Sequence, residues 1–204
     1  MKKRLTCALY AAGMLLLAGC ASSPRTEYYT LRPDAGEEVA GAECQVEAEV
    51  TVAPFTAAEP YGREEIVYRR QPYRVYFDNY RRWTSPPAQM LEQECAAWLR
   101  KSGLFSSVTG GDGGATYAVE GHVLEFYELD RGRERYAVVH CRLSLVNAKG
   151  TTLFTISPRY RVKAPPAEDW SGVAEAMSGA VRRVMKDFVG RTEEELCSAG
   201  DAGG

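Results

Sequence analysis

The sequence predicts an α+β fold, a single domain in which a mostly antiparallel sheet carries two main helices packed on one face. Apolar and polar residues alternate in several segments, which is typical of half-buried strands. Two other segments repeat apolar residues at helical spacing. Because strand segments largely follow one another directly and helices interrupt them only twice, an antiparallel sheet is favoured over alternating β-α-β units.

The chain begins with the layout of an export signal. Residues 2–4 are basic, and residues 5–17 form an apolar run that is too short to cross a bilayer permanently. The run leads into Leu17-Ala18-Gly19-Cys20, which is typical of a bacterial lipobox, where the cysteine is acylated and the peptide is cut before it. We therefore predict a lipoprotein signal peptide over residues 1–19 and lipidation of Cys20.

The expected lipid anchor places the protein in a bacterial cell envelope. Two or more acyl chains hold a protein stably on a membrane. Ala21 is not the aspartate that retains many enterobacterial lipoproteins in the inner membrane, so we expect an outer-membrane protein that faces the periplasm. Residues 20–44 are interpreted as a lipidated tether that includes a first short strand at residues 28–31.

The predicted domain covers residues 45–197 and starts with an alternating strand that Pro54 stops. Two short strands are expected at residues 65–69 and 73–77. A helix should follow, capped by Thr84 or Ser85 and ended by Gly103. Its apolar face consists of Leu91, Cys95, Trp98 and Leu99.

Three further strands are expected at residues 117–127, 136–146 and 151–162, the last two forming a hairpin. The alternation slips near residues 123–124, which indicates a bulge. In the middle strand Val139, Cys141, Leu143 and Leu145 should face inward.

A last helix should be capped by Asp169, with Val173, Met177, Ala180, Val184 and Phe188 on one face. Gly190 is a plausible end for this helix, and residues 198–204 are expected to be a disordered tail.

Charge and motifs exclude several function classes. The leader holds three of the 25 Lys and Arg residues and none of the 27 Asp and Glu residues, so the mature chain carries a net charge of about −5. That balance argues against nucleic-acid binding. His122 and His140 both lie in predicted strands, and no nucleophile motif accompanies them. We expect no catalytic residues, no metal and no cofactor, and hence no enzyme.

Four cysteines besides Cys20 belong to the mature chain, and none forms a C-x-x-C pair. Zero, one or two disulfides are compatible with this pattern, with three connectivities if all four pair. Cys95 and Cys141 lie on expected apolar faces, where a thiol can simply fill core volume. Our hypothesis is therefore a Cys44–Cys197 disulfide.

Tyrosine and arginine are concentrated between residues 61 and 83, in an otherwise acidic chain. Tyr, Trp and Arg commonly anchor protein interfaces, although cross-strand packing on a half-exposed sheet would give the same composition. Arg81 and Arg82 are expected to be exposed just before the first helix. The candidate partner-binding residues are Tyr61, Arg63, Tyr68, Arg69, Arg70, Tyr73, Arg74, Tyr80, Arg81 and Arg82.

Several of these features, in order, resemble the ABC-type transport auxiliary lipoproteins (PqiC/YmbA-like). They are the lipobox at Cys20 and the segments Tyr28-Tyr29-Thr30-Leu31, Val50-Thr51-Val52-Ala53-Pro54, Glu65-Ile66-Val67-Tyr68-Arg69 and Tyr80-Arg81-Arg82-Trp83. The long strand and the terminal helix follow them.

This resemblance implies a non-enzymatic accessory lipoprotein of an envelope lipid transport system. Its partners would be an MCE-domain substrate-binding protein and, in some systems, an ABC permease and ATPase, and it could form a homo-oligomer. The alternative is a lipoprotein that activates or anchors another envelope machine, such as a cell-wall synthase or an outer-membrane assembly complex.

Overall fold

The computed structural model describes residues 25–33, 39–111, 114–167 and 169–201. The expected signal peptide and the expected lipidation site, Cys20, lie outside these residues. Among the described residues, none of the helices combines the length and hydropathy needed to span a membrane.

The described chain forms ten strands and two helices, numbered here in chain order. They are β1 (Glu27–Tyr29), β2 (Val46–Val52), β3 (Thr56–Ala57), β4 (Glu65–Gln71), β5 (Arg74–Trp83), α1 (Pro87–Ser102), β6 (Phe105–Gly110), β7 (Tyr117–Asp130), β8 (Arg135–Asn147), β9 (Thr152–Ile156), β10 (Arg159–Lys163) and α2 (Ser171–Asp201).

The sheet is organised around the long antiparallel hairpin of β7 and β8. On the side away from β7, β8 pairs with β10 in its first half and with β9 in its second half, both antiparallel. The other edge of β7 is shared by β2, β3 and β4, which pair with it in parallel, one after the other along its length. Beyond them, β6 extends the sheet from β2, and β5 and β1 extend it from β4. The longest ladders are antiparallel, which confirms the predicted α+β class.

Both helices cover the same face of the sheet. Tyr160, which stands opposite Val139 in the β8–β10 ladder, donates a hydrogen bond to Asp187 of α2. Phe154, opposite Leu145, packs against Phe188 of α2 with ring centroids 5.7 Å apart. The first helix, α1, contacts α2 and the sheet strands β6 and β7, so it lies on this face as well.

The core follows the apolar patterns of the sequence. The expected inward residues of β8, the predicted face of α1 and the predicted face of α2 are all buried. The bulge expected near residues 123–124 is present as a register shift between Val123 and Glu125. Gly103 ends α1 in a left-handed conformation with φ 67°.

Two strand predictions and one helix-cap prediction change. The strand expected at residues 151–162 is split into β9 and β10 around Ser157 and Pro158, because proline has no N–H for the ladder. The short β3 was not expected. The cap of α1 is Pro86, without a side-chain hydrogen bond, rather than Thr84 or Ser85. Thr84 instead continues the sheet, since its N–H donates to the Tyr29 carbonyl oxygen at 2.9 Å.

The last helix begins as expected and ends later. The Asp169 carboxylate accepts the Ser171 N–H at 2.8 Å. Gly190 does not end α2, which continues to Asp201 and so includes residues 198–201 of the expected disordered tail. Beyond Gly190, Arg191 pairs with Glu195 at 2.7 Å, four residues apart as helix geometry favours. Residues 202–204 of that tail lie outside the described residues.

Cys44 and Cys197 are joined by a disulfide with a Cα–Cα distance of 6.2 Å, which is the pairing hypothesised from the sequence. Cys95 and Cys141 are free and buried. Burial raises the pKa of the Cys95 thiol to about 12 and raises that of Cys141 as well. Both thiols therefore stay protonated and serve as core side chains.

Candidate functional site

The tyrosine- and arginine-rich segment folds as the β4–β5 hairpin. Its β4 strand pairs with β7, while β5 forms the outer strand. β1 covers the edge of β5 only at Arg81, Arg82 and Trp83. Among the described residues, the outer edge of β5 from Arg74 to Phe77 has no strand partner, so its outward backbone groups are open to pairing.

One of the candidate partner-binding residues is buried, and a second, Arg69, is half-buried against it. Tyr61 is only 2% exposed and stacks on Tyr127 with ring centroids 6.3 Å apart. Arg69 donates to the Tyr61 hydroxyl at 2.6 Å and lies 4.5 Å from the centroid of the Tyr127 ring. Burial raises the pKa of Tyr61, against the opposing effect of Arg69. These residues hold β4 onto β7.

Arg81 and Arg82 are also engaged within the chain, contrary to the expectation that they project freely. Residues 78–81 bulge out of β5, and the Asp78 carboxylate accepts the N–H groups of Tyr80 and Arg81 at 2.9 and 2.7 Å. The Arg81 guanidinium bonds to the same carboxylate and lies 5.6 Å from the Trp170 ring. The Arg82 guanidinium donates to the Asp78 carbonyl oxygen. Both side chains are half-buried because they close this bulge.

The Asp78 carboxylate has a pKa below its usual value. Burial alone would raise the pKa, but the hydrogen bonds from the Arg81 side chain and from the two backbone N–H groups outweigh it. The bulge is thus held by an ionised carboxylate.

The outer half of the hairpin is the exposed part. Tyr73 is 97% exposed and Tyr80 is 50% exposed. Arg63, Arg70 and Arg74 are exposed, although Arg70 pairs with Asp130 at 2.8 Å. Tyr68 is half-buried and stacks on Tyr76 with centroids 5.1 Å apart.

Two exposed apolar residues of β5 were not among the predicted partner-binding residues. Val75 and Phe77 are 40% and 41% exposed, and the Arg63 guanidinium lies 5.5 Å from the Phe77 ring centroid. Their two-residue spacing along one strand was the available signal, but it looks the same for a covered and an uncovered face. We call Arg63, Val75 and Phe77, together with the unpaired edge of β5 at residues 75–77, the hairpin flank.

The two histidines make local contacts away from the hairpin flank. His122 Nδ1 lies 2.7 Å from the Thr56 hydroxyl, beside an open cleft that also exposes Glu120 and Arg142. His140 Nε2 lies 3.0 Å from the Ser157 hydroxyl. Within the described ranges, no three His, Cys, Asp or Glu side chains are placed to hold a metal ion.

A buried carboxylate lies between the hairpin and α2. Glu128 is 4% exposed and accepts the Trp170 indole N–H at 2.6 Å. Burial raises its pKa, and the Trp170 hydrogen bond and the nearby Arg81 and Arg135 only partly oppose the shift. The Trp170 ring in turn packs edge-on against Trp83 at 5.2 Å. This group joins the root of the hairpin to the start of α2.

Comparison with known proteins gives consistent results. A family model described as "ABC-type transport auxiliary lipoprotein component" matches residues 29–189. A crystal structure of a Xanthomonas campestris protein of the DUF330 family is similar with a TM-score of 0.71 and 19% identity, covering 86% of this chain and 99% of that chain.

The crystal structure of an uncharacterised protein is similar with a TM-score of 0.61 and 12% identity, covering 83% of this chain and 99% of that one. At these identities the likeness concerns the fold alone. No curated protein matches the chain.

Proposed function

Because this chain belongs to the family of ABC-type transport auxiliary lipoprotein components, we propose that it is a non-enzymatic accessory of an envelope lipid transport system. In this role it works with an MCE-domain substrate-binding protein, and in some systems with an ABC permease and ATPase. The lipid anchor is Cys20, and the membrane is the outer membrane, with the domain in the periplasm.

The hairpin flank is the surface that carries this proposal. It combines an unpaired strand edge with two partly exposed apolar side chains, Val75 and Phe77, and a cation, Arg63, beside an aromatic ring. A partner strand can add to such an edge through its backbone and insert apolar side chains beside it. Aromatic and arginine side chains near the centre of a contact commonly supply much of the binding energy, which favours Phe77 and Arg63 as anchors.

Four of the residues named from the sequence are buried or half-buried and support the hairpin flank rather than touch the partner. Tyr61 and Arg69 fix β4 against β7, and Arg81 and Arg82 close the bulge that ends the free edge. The partner-binding surface is therefore narrower than the whole segment and lies on its outer half.

A photoreactive residue in place of Phe77, in the lipidated protein in native membranes, tests this surface. We expect it to crosslink to an MCE-domain protein. The same group in place of Glu47, which is exposed on β2, is the matched control and should give no such product. Capture of a cell-wall synthase or an outer-membrane barrel at position 77 would favour the alternative function. Absence of any protein adduct at position 77 would reject the hairpin flank as an interface.

A further inference from the structure

The path of the chain toward Cys20 is set by the pairing of β1. This strand runs parallel to β5, with Glu27 opposite Arg81 and Tyr29 opposite Trp83. Moving back along β1 toward the N-terminus is therefore the same direction as moving back along β5 toward Arg74. The chain leaves the sheet on the side where the β4–β5 turn projects.

The length of the tether matches the projection of this turn. Glu65, Arg82 and Tyr28 lie in one row across the sheet, and β4 extends from Glu65 to Gln71, about 20 Å at strand spacing. Six residues lie between Cys20 and Glu27, so the two Cα atoms are at most about 25 Å apart. An acylated Cys20 therefore keeps the bilayer within reach of the β4–β5 turn.

The same end of the sheet is basic. β4 and β7 run in parallel, so the β7–β8 turn lies beside the β4–β5 turn, and Arg70 bonds to Asp130 across them. Arg74, Arg131 and Arg133 are exposed here and form no ion pair with another described residue. We call Arg70, Tyr73, Arg74 and the β7–β8 turn, residues 131–134, the basic end.

Exposed tyrosines accompany these arginines. Tyr73 is almost fully exposed at the β4–β5 turn, and Tyr28 and Tyr80 are 63% and 50% exposed near the place where the chain leaves β1. Tyrosine is favoured at membrane surfaces because its ring is apolar and its hydroxyl stays hydrated. Arginines near an anionic leaflet add attraction to phosphate groups.

We propose that the basic end is a second membrane contact, which seats on the phospholipid headgroups of the leaflet that holds the Cys20 acyl chains. Arg74, Arg131 and Arg133 bind headgroup phosphates, and Tyr73 enters the interface. The contact orients the domain, so that the hairpin flank lies close to the membrane surface. The inference rests on the proposed lipid anchor, but it is tested separately from the transport role.

The first test places a label at the basic end. Tyr73→Cys is labelled with a fluorophore in the lipidated protein, reconstituted in vesicles of phosphatidylethanolamine and phosphatidylglycerol that contain a quenching lipid. The native free thiols are buried and do not compete for the label. We expect quenching at position 73 and none at position 149, where Lys149→Cys places the same label on the turn between β8 and β9.

The second test reverses charge. The mature chain carrying Cys20→Ser is sedimented with the same vesicles, with and without Arg74→Glu and Arg131→Glu. We expect vesicle binding to weaken more than about tenfold, since each basic residue near an anionic surface contributes measurably. The matched control, Arg142→Glu with Lys149→Glu, reverses two exposed charges elsewhere and should bind as before. Phosphatidylcholine vesicles should bind weakly in every case, because they lack anionic headgroups.

Each remaining outcome has a defined meaning. Equal quenching of the fluorophore at positions 73 and 149 would overturn the membrane contact. A fluorophore at position 73 that is not quenched by the lipid, but changes its emission when a transport partner is added, would assign the basic end to a protein instead. If mass spectrometry finds Cys20 unmodified, the anchor proposal fails. The sedimentation test then decides on the basic end alone: weaker vesicle binding by the Arg74→Glu, Arg131→Glu chain supports it, and unchanged binding overturns it.

Discussion

The disulfide end of the sheet, where Cys44 and Cys197 join the start of β2 to the last turns of α2, contrasts with the basic end. At the disulfide end a covalent bond closes nearly the whole domain and fixes the helix to the sheet. At the basic end the two turns project from the sheet with exposed arginines and Tyr73. One end of the sheet therefore carries a covalent constraint, and the other carries exposed side chains that are available for binding.

This division means that changes at the basic end can alter binding without unfolding the protein. The boundary between the two regimes lies at the root of the hairpin, where Asp78, Arg81, Glu128 and Trp170 are linked. The following four predictions test this division, from the largest expected effect to the smallest.

The largest effect is expected from removing the disulfide. Cys44→Ser with Cys197→Ser should lower the free energy of unfolding by about 3–5 kcal/mol, because the bond closes a loop of 153 residues in the unfolded chain. Chemical denaturation of the mature protein measures this loss. Reductant should bring the wild type close to the variant and leave the variant unchanged. A wild type indifferent to reductant would contradict the prediction.

Two glycines give the next contrast. A Cβ at Gly121 would lie 2.5 Å from the Phe55 ring, so Gly121→Ala should destabilise the fold by about 2 kcal/mol through overpacking. A Cβ at Gly190 meets no atom within 4 Å, and this glycine lies inside α2. Gly190→Ala should therefore stabilise the protein by about 0.5–1 kcal/mol. Thermal melts measure both changes, and a destabilising Gly190→Ala would argue against the continuous helix.

Two arginines on one strand give a smaller contrast. Arg81→Glu removes the hydrogen bonds to Asp78 and places a second carboxylate beside it, so it should cost about 1.5 kcal/mol of stability. Arg74→Glu, on the exposed part of the same strand, should change stability by no more than about 0.5 kcal/mol. Urea unfolding of the two variants distinguishes them. Equal losses of stability in the two variants would contradict the difference in packing between Arg81 and Arg74.

The pH dependence of Glu128 is the smallest of the four effects. Its raised pKa means that the native state holds this proton more tightly than the unfolded chain does. Its contribution to stability is full below the unfolded value of about 4.3 and is lost as the pH rises through the folded pKa. Glu128→Gln should remove this loss. In thermal melts, the stability of the variant relative to the wild type should therefore increase as the pH rises from 4 to 8. A constant difference across that range would contradict the prediction.

Local patterns were sufficient for most of the fold because apolar periodicity identifies both the element and its buried face. Leu91 and Leu99 in α1, and Leu143 and Leu145 in β8, are buried as their spacing predicts. The end of α2 could not be predicted locally. Gly190 is a common helix terminator, but here the later turns are held by the Cys44 bond and the Arg191–Glu195 pair.

The candidate site was predicted as a segment but not residue by residue. Arg69 is half-buried because Tyr127 covers it, and Tyr127 belongs to a strand much later in the chain. Likewise, Arg81 is half-buried because Trp170 and the Asp78 bulge meet it. Local sequence identifies residue types that suit an interface, while long-range contacts decide which of them remain at the surface.

The parallel pairing of β1 also has a mechanical meaning. A pull on an anchor at Cys20 would act along β1 and load its hydrogen bonds with β5 in shear, all at once, rather than peel them apart singly. The edge-on contact of Tyr29 with Trp170 and the bond from the Arg32 N–H to the Ser178 hydroxyl carry the same load into α2. A pull at the N-terminal end of β1 would thus be transmitted to the helical layer through these two contacts.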